Sequence, residues 1–149
     1  MNVSAMSDLR VFFRRLELAY FRSKTSRLFA ELMSRKARHL YARGCAELGP
    51  LPPGSRVADI GCGHGTFLAM YLAQTPGVTG FGLDQSAELI RFAERQCQEA
   101  GVTAEFMVGD VHTIALPANA FDAMVSTSSI YCWRDPVVAL NRLYEALKP

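Results

Sequence analysis

With 149 residues, half of them apolar, and a formal charge of +2, the chain can bury one core and holds no run near the ~20 apolar residues of a membrane span. Charge is placed unevenly: residues 1–48 carry ten Lys/Arg against four Asp/Glu, and residues 49–149 carry six against ten. Arg10, Arg14 and Arg15 interrupt any apolar stretch at the amino end, so no signal peptide is expected. Cys45, Cys62, Cys97 and Cys132 show no C-x-x-C spacing. Free thiols in a reducing compartment, the cytoplasm, are therefore expected in place of disulfides or a zinc site, and no metal is assigned.

The first predicted elements are amphipathic helices. Leu9, Phe12, Phe13, Leu16 and Tyr20 recur at helical spacing, as do Leu28, Phe29, Leu32, Met33, Leu40 and Tyr41, with a break near Ser23–Ser26. They either pack on the core with their arginines solvated or form a lid over a ligand site. Nucleic acid is disfavoured as a partner, because the basic helices carry full apolar stripes and no aromatic stacking motif. Residues 48–54, with three prolines and two glycines, end this helical region. The expected division is therefore a helical lid or cap over 1–48 and a second domain over 49–149.

A short apolar strand over 57–60 runs into Gly61-Cys62-Gly63-His64-Gly65, and a helix begins at once with Thr66-Phe67-Leu68. The glycines alternate as G-x-G-x-G, whereas a pyrophosphate-binding dinucleotide turn reads G-x-G-x-x-G, which disfavours a nicotinamide dehydrogenase. Such a turn provides positive φ and close backbone approach, and the helix start is expected to offer unpaired N–H groups. The second strand, over 78–84, ends in Asp84, 25 positions after Asp59. An acid there lies beside the first turn, where its two oxygens can accept from both hydroxyls of a ribose. Ser86 is the expected N-cap of the next helix, whose buried side is predicted from Ala87, Ile90, Ala93 and Cys97. A third strand over 105–108 leads into Gly109-Asp110, and a fourth over 121–126 ends at Ser126. Strand, helix, strand, helix, strand, strand, helix implies a mainly parallel sheet, with the strand-end acids on its ligand-binding rim.

Segments 57–67, 81–86, 108–110 and 121–131 resemble the successive motifs of class I S-adenosylmethionine-dependent methyltransferases, in that family's order and approximate spacing. The run Ser129-Ile130-Tyr131-Cys132-Trp133-Arg134-Asp135-Pro136 and the end Ala146-Leu147-Lys148-Pro149 resemble its small-molecule type. The resemblance implies an α/β, Rossmann-like fold of strand order 3-2-1-4, with S-adenosylmethionine as cofactor. It implies that Asp59 and the backbone of Gly61, Cys62, Gly63 and Gly65 hold the methionine moiety. Asp84 then takes the ribose hydroxyls with help from Gln85, Asp110 the adenine amino group beside the Val111 backbone, and Ser126 the sulfonium end. Ala58 and His64 depart from the family's usual bulkier and smaller residues without removing a ligand group. Arsenic methylation, performed by some relatives with thiols, finds no support in the cysteine pattern.

The last helix is expected to start at Asp135 as N-cap with Pro136 in its first turn, its apolar face being Val137, Leu140, Leu143, Tyr144 and Leu147. Further strands follow this helix in the resembling family, so the domain reads as truncated after its fourth strand. That strand becomes an exposed edge, expected to pair with a second copy or a partner chain, and the helix has little to cover. His39, His64 and His112 are candidate bases or structural histidines, and no catalytic residue is assigned. Tyr131 and Trp133 are expected on the methyl side, either shaping an acceptor site, making cation–π contact, or anchoring their loop. The expected activity is methyl transfer to a small molecule by direct displacement. The alternative is a non-catalytic cofactor-binding remnant or a subunit that works only with a partner.

Overall fold

The structure is a computed structural model that describes residues 38–149. The proposed helices before residue 38 lie outside the described residues. The compact unit runs from Ala37 to Pro149. It opens with helix α1 (38–48) and continues with β1 (Arg56–Ile60), α2 (Thr66–Gln74), β2 (Thr79–Asp84), α3 (Ala87–Glu99), β3 (Ala104–Val108) and β4 (Ala123–Val125). A 3-10 turn (Ile130–Cys132) and helix α4 (Pro136–Ala146) complete it. All pairings are parallel, as the element order implies, and the strand order is β3-β2-β1-β4, as the family resemblance implies.

β1 is central, and the two-residue period of a strand divides its side chains between two cores. Val57 joins Phe67, Leu68, Tyr71, Leu72 and Cys97 on one side. Ala58 and Ile60 join Phe81, Leu83, Phe121, Ala139, Leu143 and Ala146 on the other. Helix α1 belongs to the first core: Cys45 is buried in it, and Tyr41 and Leu48 pack against it. Tyr71 stacks on Phe67 with ring centroids 5.7 Å apart. Its hydroxyl donates to the Gly49 carbonyl at 2.9 Å and accepts from the Leu51 amide at 3.2 Å, fastening the proline-rich linker to α2. Fully burying a ring such as that of Phe67 stabilises by about 1.5–3 kcal/mol.

Three expectations about packing are corrected. The buried residues of α4 are Ala139, Leu143 and Ala146, while Val137, Leu140 and Tyr144 of the expected apolar face are 68%, 49% and 77% exposed. Ala139, Leu143 and Ala146 share the core of Ala58, Ile60, Phe81 and Leu83, so α4 covers that face of β1 and β2 while its larger side chains point outward. In α3 the buried set is Leu89, Ile90, Ala93 and Cys97, with Ala87 exposed. The fourth strand is only Ala123–Val125, and Phe121 pairs with Leu147 on the backbone that returns after α4. Lys148 N–H donates to the Phe121 carbonyl at 2.9 Å, and the Lys148 ammonium pairs with the Asp122 carboxylate at 2.8 Å. The start of the expected free edge is thereby covered, and β4 itself borders the sheet among the described residues.

Candidate functional site

The carboxyl ends of β1, β2 and β3 bring Asp59, the glycine turn, Asp84 and Asp110 to one rim. The parallel register sets Asp59 beside Gly82 on one side and Val125 on the other. Asp59 shares the α1–α2 face of β1 with Val57 by strand alternation. It is fully buried, and neither carboxylate oxygen has a hydrogen-bond partner among the described residues. Burial, followed by the negative charge of Asp84, pushes its pKa up to about 8. The same burial logic, with Asp59 adding to it, raises the Tyr41 hydroxyl. A buried acid without a partner is costly unless a ligand supplies one.

The amides of the turn itself, ahead of the helix that starts at Thr66, are engaged within the protein. Gly61 and Cys62 amides both donate to the Leu83 carbonyl, at 2.7 and 3.0 Å, and the Gly65 amide donates to the Cys62 carbonyl at 2.9 Å. The Gly63 amide donates to Asp84 Oδ2 at 2.9 Å. These four donors are already used, so the rim presents carboxylates in place of an anion cradle. That polarity suits a cationic ligand and opposes a pyrophosphate.

Close packing dictates two of the glycines. A Cβ at Gly61 would lie 2.3 Å from Ser129 Oγ, and one at Gly65 would lie 2.8 Å from the Ala93 Cβ. Gly63, at φ +54°, would meet nothing within 4 Å, so its open side is available to a ligand. Cys62 is buried, with Sγ packed toward Gly82, and its thiol is pushed far up by burial. Its contribution to the turn is therefore backbone.

Asp84 is held at both oxygens: Oδ1 accepts from the Ser86 amide and Oδ2 from Gly63, each at 2.9 Å. Burial raises its pKa while those backbone bonds pull it down. Ser86 caps α3 as expected, its Oγ accepting from the Leu89 amide at 3.3 Å, and Gln85 is exposed beside it. His64 lies against Phe92 with its Nε2 buried and without a hydrogen-bond partner among the described residues. Burial lowers its pKa.

Asp110 and Val111 follow β3, Val111 being buried and Asp110 partly exposed. Asp110 Oδ1 accepts from the His112 amide at 2.9 Å and contacts His112 Nδ1 at 2.7 Å, and these bonds hold its carboxyl below the ordinary range. After β4, Ser126 Oγ lies 2.6 Å from Ser129 Oγ, which donates to the Ile60 carbonyl at 2.8 Å. Ser129 thus pins the post-β4 loop over the glycine turn, a role the sequence did not mark. Trp133 packs against the Ala58–Ile60 core, whereas Tyr131 is 60% exposed. His39 is exposed on α1, away from any arrangement described above.

A family model described as a methyltransferase domain matches residues 57–149. The chain belongs to this methyltransferase family. An uncharacterized methyltransferase, YdaC, of Bacillus subtilis is 28% identical over 64% of the chain and 52% of its own length. A fatty-acid O-methyltransferase of Mycolicibacterium smegmatis is 36% identical over 64% of the chain and 34% of its own length. Among solved structures, a Haemonchus contortus phosphoethanolamine N-methyltransferase 2, in complex with phosphomonomethylethanolamine and S-adenosylhomocysteine, aligns with a TM-score of 0.68. It is 28% identical, and the match covers 74% of this chain and 26% of that one. The chain therefore spans about half, or less, of the length of the relatives it matches. Family and strand order together make this a class I S-adenosylmethionine-dependent methyltransferase domain. Among the described residues no helix is long and apolar enough to cross a membrane.

Proposed function

We propose that this chain binds S-adenosylmethionine at the β1–β3 rim and takes part in methyl transfer to a small-molecule acceptor. The observation that carries the reading is the buried, unpartnered Asp59 carboxyl group beside a turn in which the Gly61, Cys62, Gly63 and Gly65 amides are already used. A ligand bearing an ammonium group and a ribose answers both features. Asp59 would hold the ammonium, with the Gly61–Gly65 backbone around the methionine moiety. Asp84, fixed at both oxygens, would accept the ribose hydroxyls with Gln85 alongside. Asp110 would take the adenine amino group beside Val111, and Ser126 would lie at the sulfonium end. When bound, S-adenosylmethionine supplies a methyl carbon activated by its sulfonium sulfur for direct displacement. The protein's part is then orientation and exclusion of water, and a base is required only where the acceptor must lose a proton.

Small-molecule acceptors are named for the fatty-acid and phosphoethanolamine relatives, which supports that class here. Exposed Tyr131 is the candidate acceptor contact, and Trp133 shapes the loop from its core side. Buried thiols at Cys45, Cys62 and Cys97 suit a cytoplasmic setting. Calorimetric titration with S-adenosylhomocysteine tests the cofactor reading, and absence of heat from binding at millimolar ligand would overturn it.

A second reading, a subunit that works only with a partner chain, is favoured by the outward apolar residues of α4, where Val137 and Tyr144 are 68% and 77% exposed. Cofactor binding without turnover, restored by a complete homologous chain, distinguishes it from the first.

A further inference from the structure

We propose that His112 is a positioning residue for the adenine subsite, fixing the Asp110 carboxylate on one side and the start of α4 on the other. The inference rests on the reading that Asp110 meets the adenine amino group. His112 has a side chain only 4% exposed, and its two ring nitrogens contact different elements. Nδ1 lies 2.7 Å from Asp110 Oδ1. Nε2 accepts from the Asp135 amide at 3.1 Å. The Asp135 amide can only donate, so Nε2 is its acceptor and Nδ1 carries the proton that meets Asp110 Oδ1. The Asp135 carbonyl lies 3.2 Å from the same nitrogen.

Both bonds from His112, one from its amide and one from its ring, end on the same oxygen of Asp110. They fix the carboxylate's rotation and leave Oδ2 out of the pair, in the manner of an outer hydrogen bond orienting a binding group. On the far side, Asp135 caps α4, its Oδ1 accepting from the Val137 and Val138 amides at 3.1 Å each. One ring therefore connects the end of β3 to the helix that follows the post-β4 loop.

The test uses His112→Asn, whose amide can donate from near the Nδ1 position, and His112→Gln, whose carbonyl can accept near the Nε2 position. Dissociation constants are measured for S-adenosylhomocysteine and for S-inosylhomocysteine, which replaces the exocyclic amino group with a carbonyl. The wild type is expected to prefer the adenine ligand by about tenfold or more, the range of a charge-assisted hydrogen bond. His112→Gln should lose most of that preference, and His112→Asn should keep it. Unchanged preference in both variants would overturn the role of His112 while leaving the cofactor reading intact. A wild type that binds neither ligand overturns the adenine subsite and this role together. Imidazole 15N shifts of the wild type give a measurement independent of any variant's folding. A proton on Nδ1 is expected, and a ring protonated at Nε2 in place of Nδ1 overturns the proposal.

Discussion

Gly63 and Asp84 are joined directly, the Gly63 amide donating to Asp84 Oδ2 at 2.9 Å, so the turn after β1 and the end of β2 form one unit. Removing the carboxylate therefore acts twice: it takes away the proposed ribose acceptor and releases the turn. Asp84→Ala should weaken S-adenosylhomocysteine binding at least ten- to hundredfold, the worth of about 1.5–3 kcal/mol. Asp84→Asn keeps the shape and one carbonyl acceptor, and should lose less. Titration calorimetry of the three proteins checks this, and equal affinities would place the ribose elsewhere.

Substitutions at the glycines should separate binding from folding. Gly63 has open space beyond its missing Cβ, so Gly63→Val meets no protein atom but must hold φ near +54°, at a cost of roughly 1–2 kcal/mol. Cofactor binding should vanish while much of the stability stays. Gly65→Ala drives a Cβ to 2.8 Å from the Ala93 Cβ, forcing α2 from α3, and its larger loss should be in stability. Thermal melts paired with titration distinguish the two. A Gly63→Val protein that binds normally would remove the ligand from this turn.

Asp59 gives a pH dependence whose sign is fixed. Its pKa rises from an ordinary 3.8 to about 8 on folding, through burial first and Asp84 second. Between those values the folded chain keeps a proton that the unfolded chain has released. Stability should therefore fall as pH rises across this window, by at most roughly 1.4 kcal/mol per pH unit, and level off above about 8. Asp59→Asn should flatten the profile. If the ligand's ammonium ionises Asp59, binding near pH 6.5 should release about one proton, detected as a buffer-dependent calorimetric enthalpy. Buffer-independent enthalpy would mean that Asp59 stays neutral in the complex.

The rim acids were legible from local pattern, since strands ending at or near Asp59, Asp84 and Asp110 can meet only at the carboxyl edge of a parallel sheet, whereas the strand order came with the family resemblance. Helix α4 was misread because its periodicity offers two faces. Val137, Leu140 and Tyr144 are the larger apolar residues, but Ala139, Leu143 and Ala146 are the ones buried with Ala58 and Ile60. The donor state of the glycine turn was equally hidden, since Leu83, which accepts two of its amides, lies more than twenty positions downstream. His112 and Ser129 were invisible as connectors for the same reason: their partners Asp135 and Ile60 are brought near by the fold alone.

The outward face of α4 carries the last prediction. Val137, Val138, Leu140 and Tyr144 are all at least 47% exposed, and β4 lies at the sheet border close by in sequence. Contiguous apolar side chains next to a strand border favour contact with another surface. The 149-residue chain is therefore expected to self-associate with rising concentration, as seen by size-exclusion chromatography with light scattering. Leu140→Lys with Tyr144→Glu should shift it toward monomer. The melting temperature should hardly change, because neither side chain is in the core. Wild type and double variant both running as monomers across the concentration range would show that this face needs no cover. A variant that dissociates and also unfolds would mean that the face stabilises the fold from within the assembly.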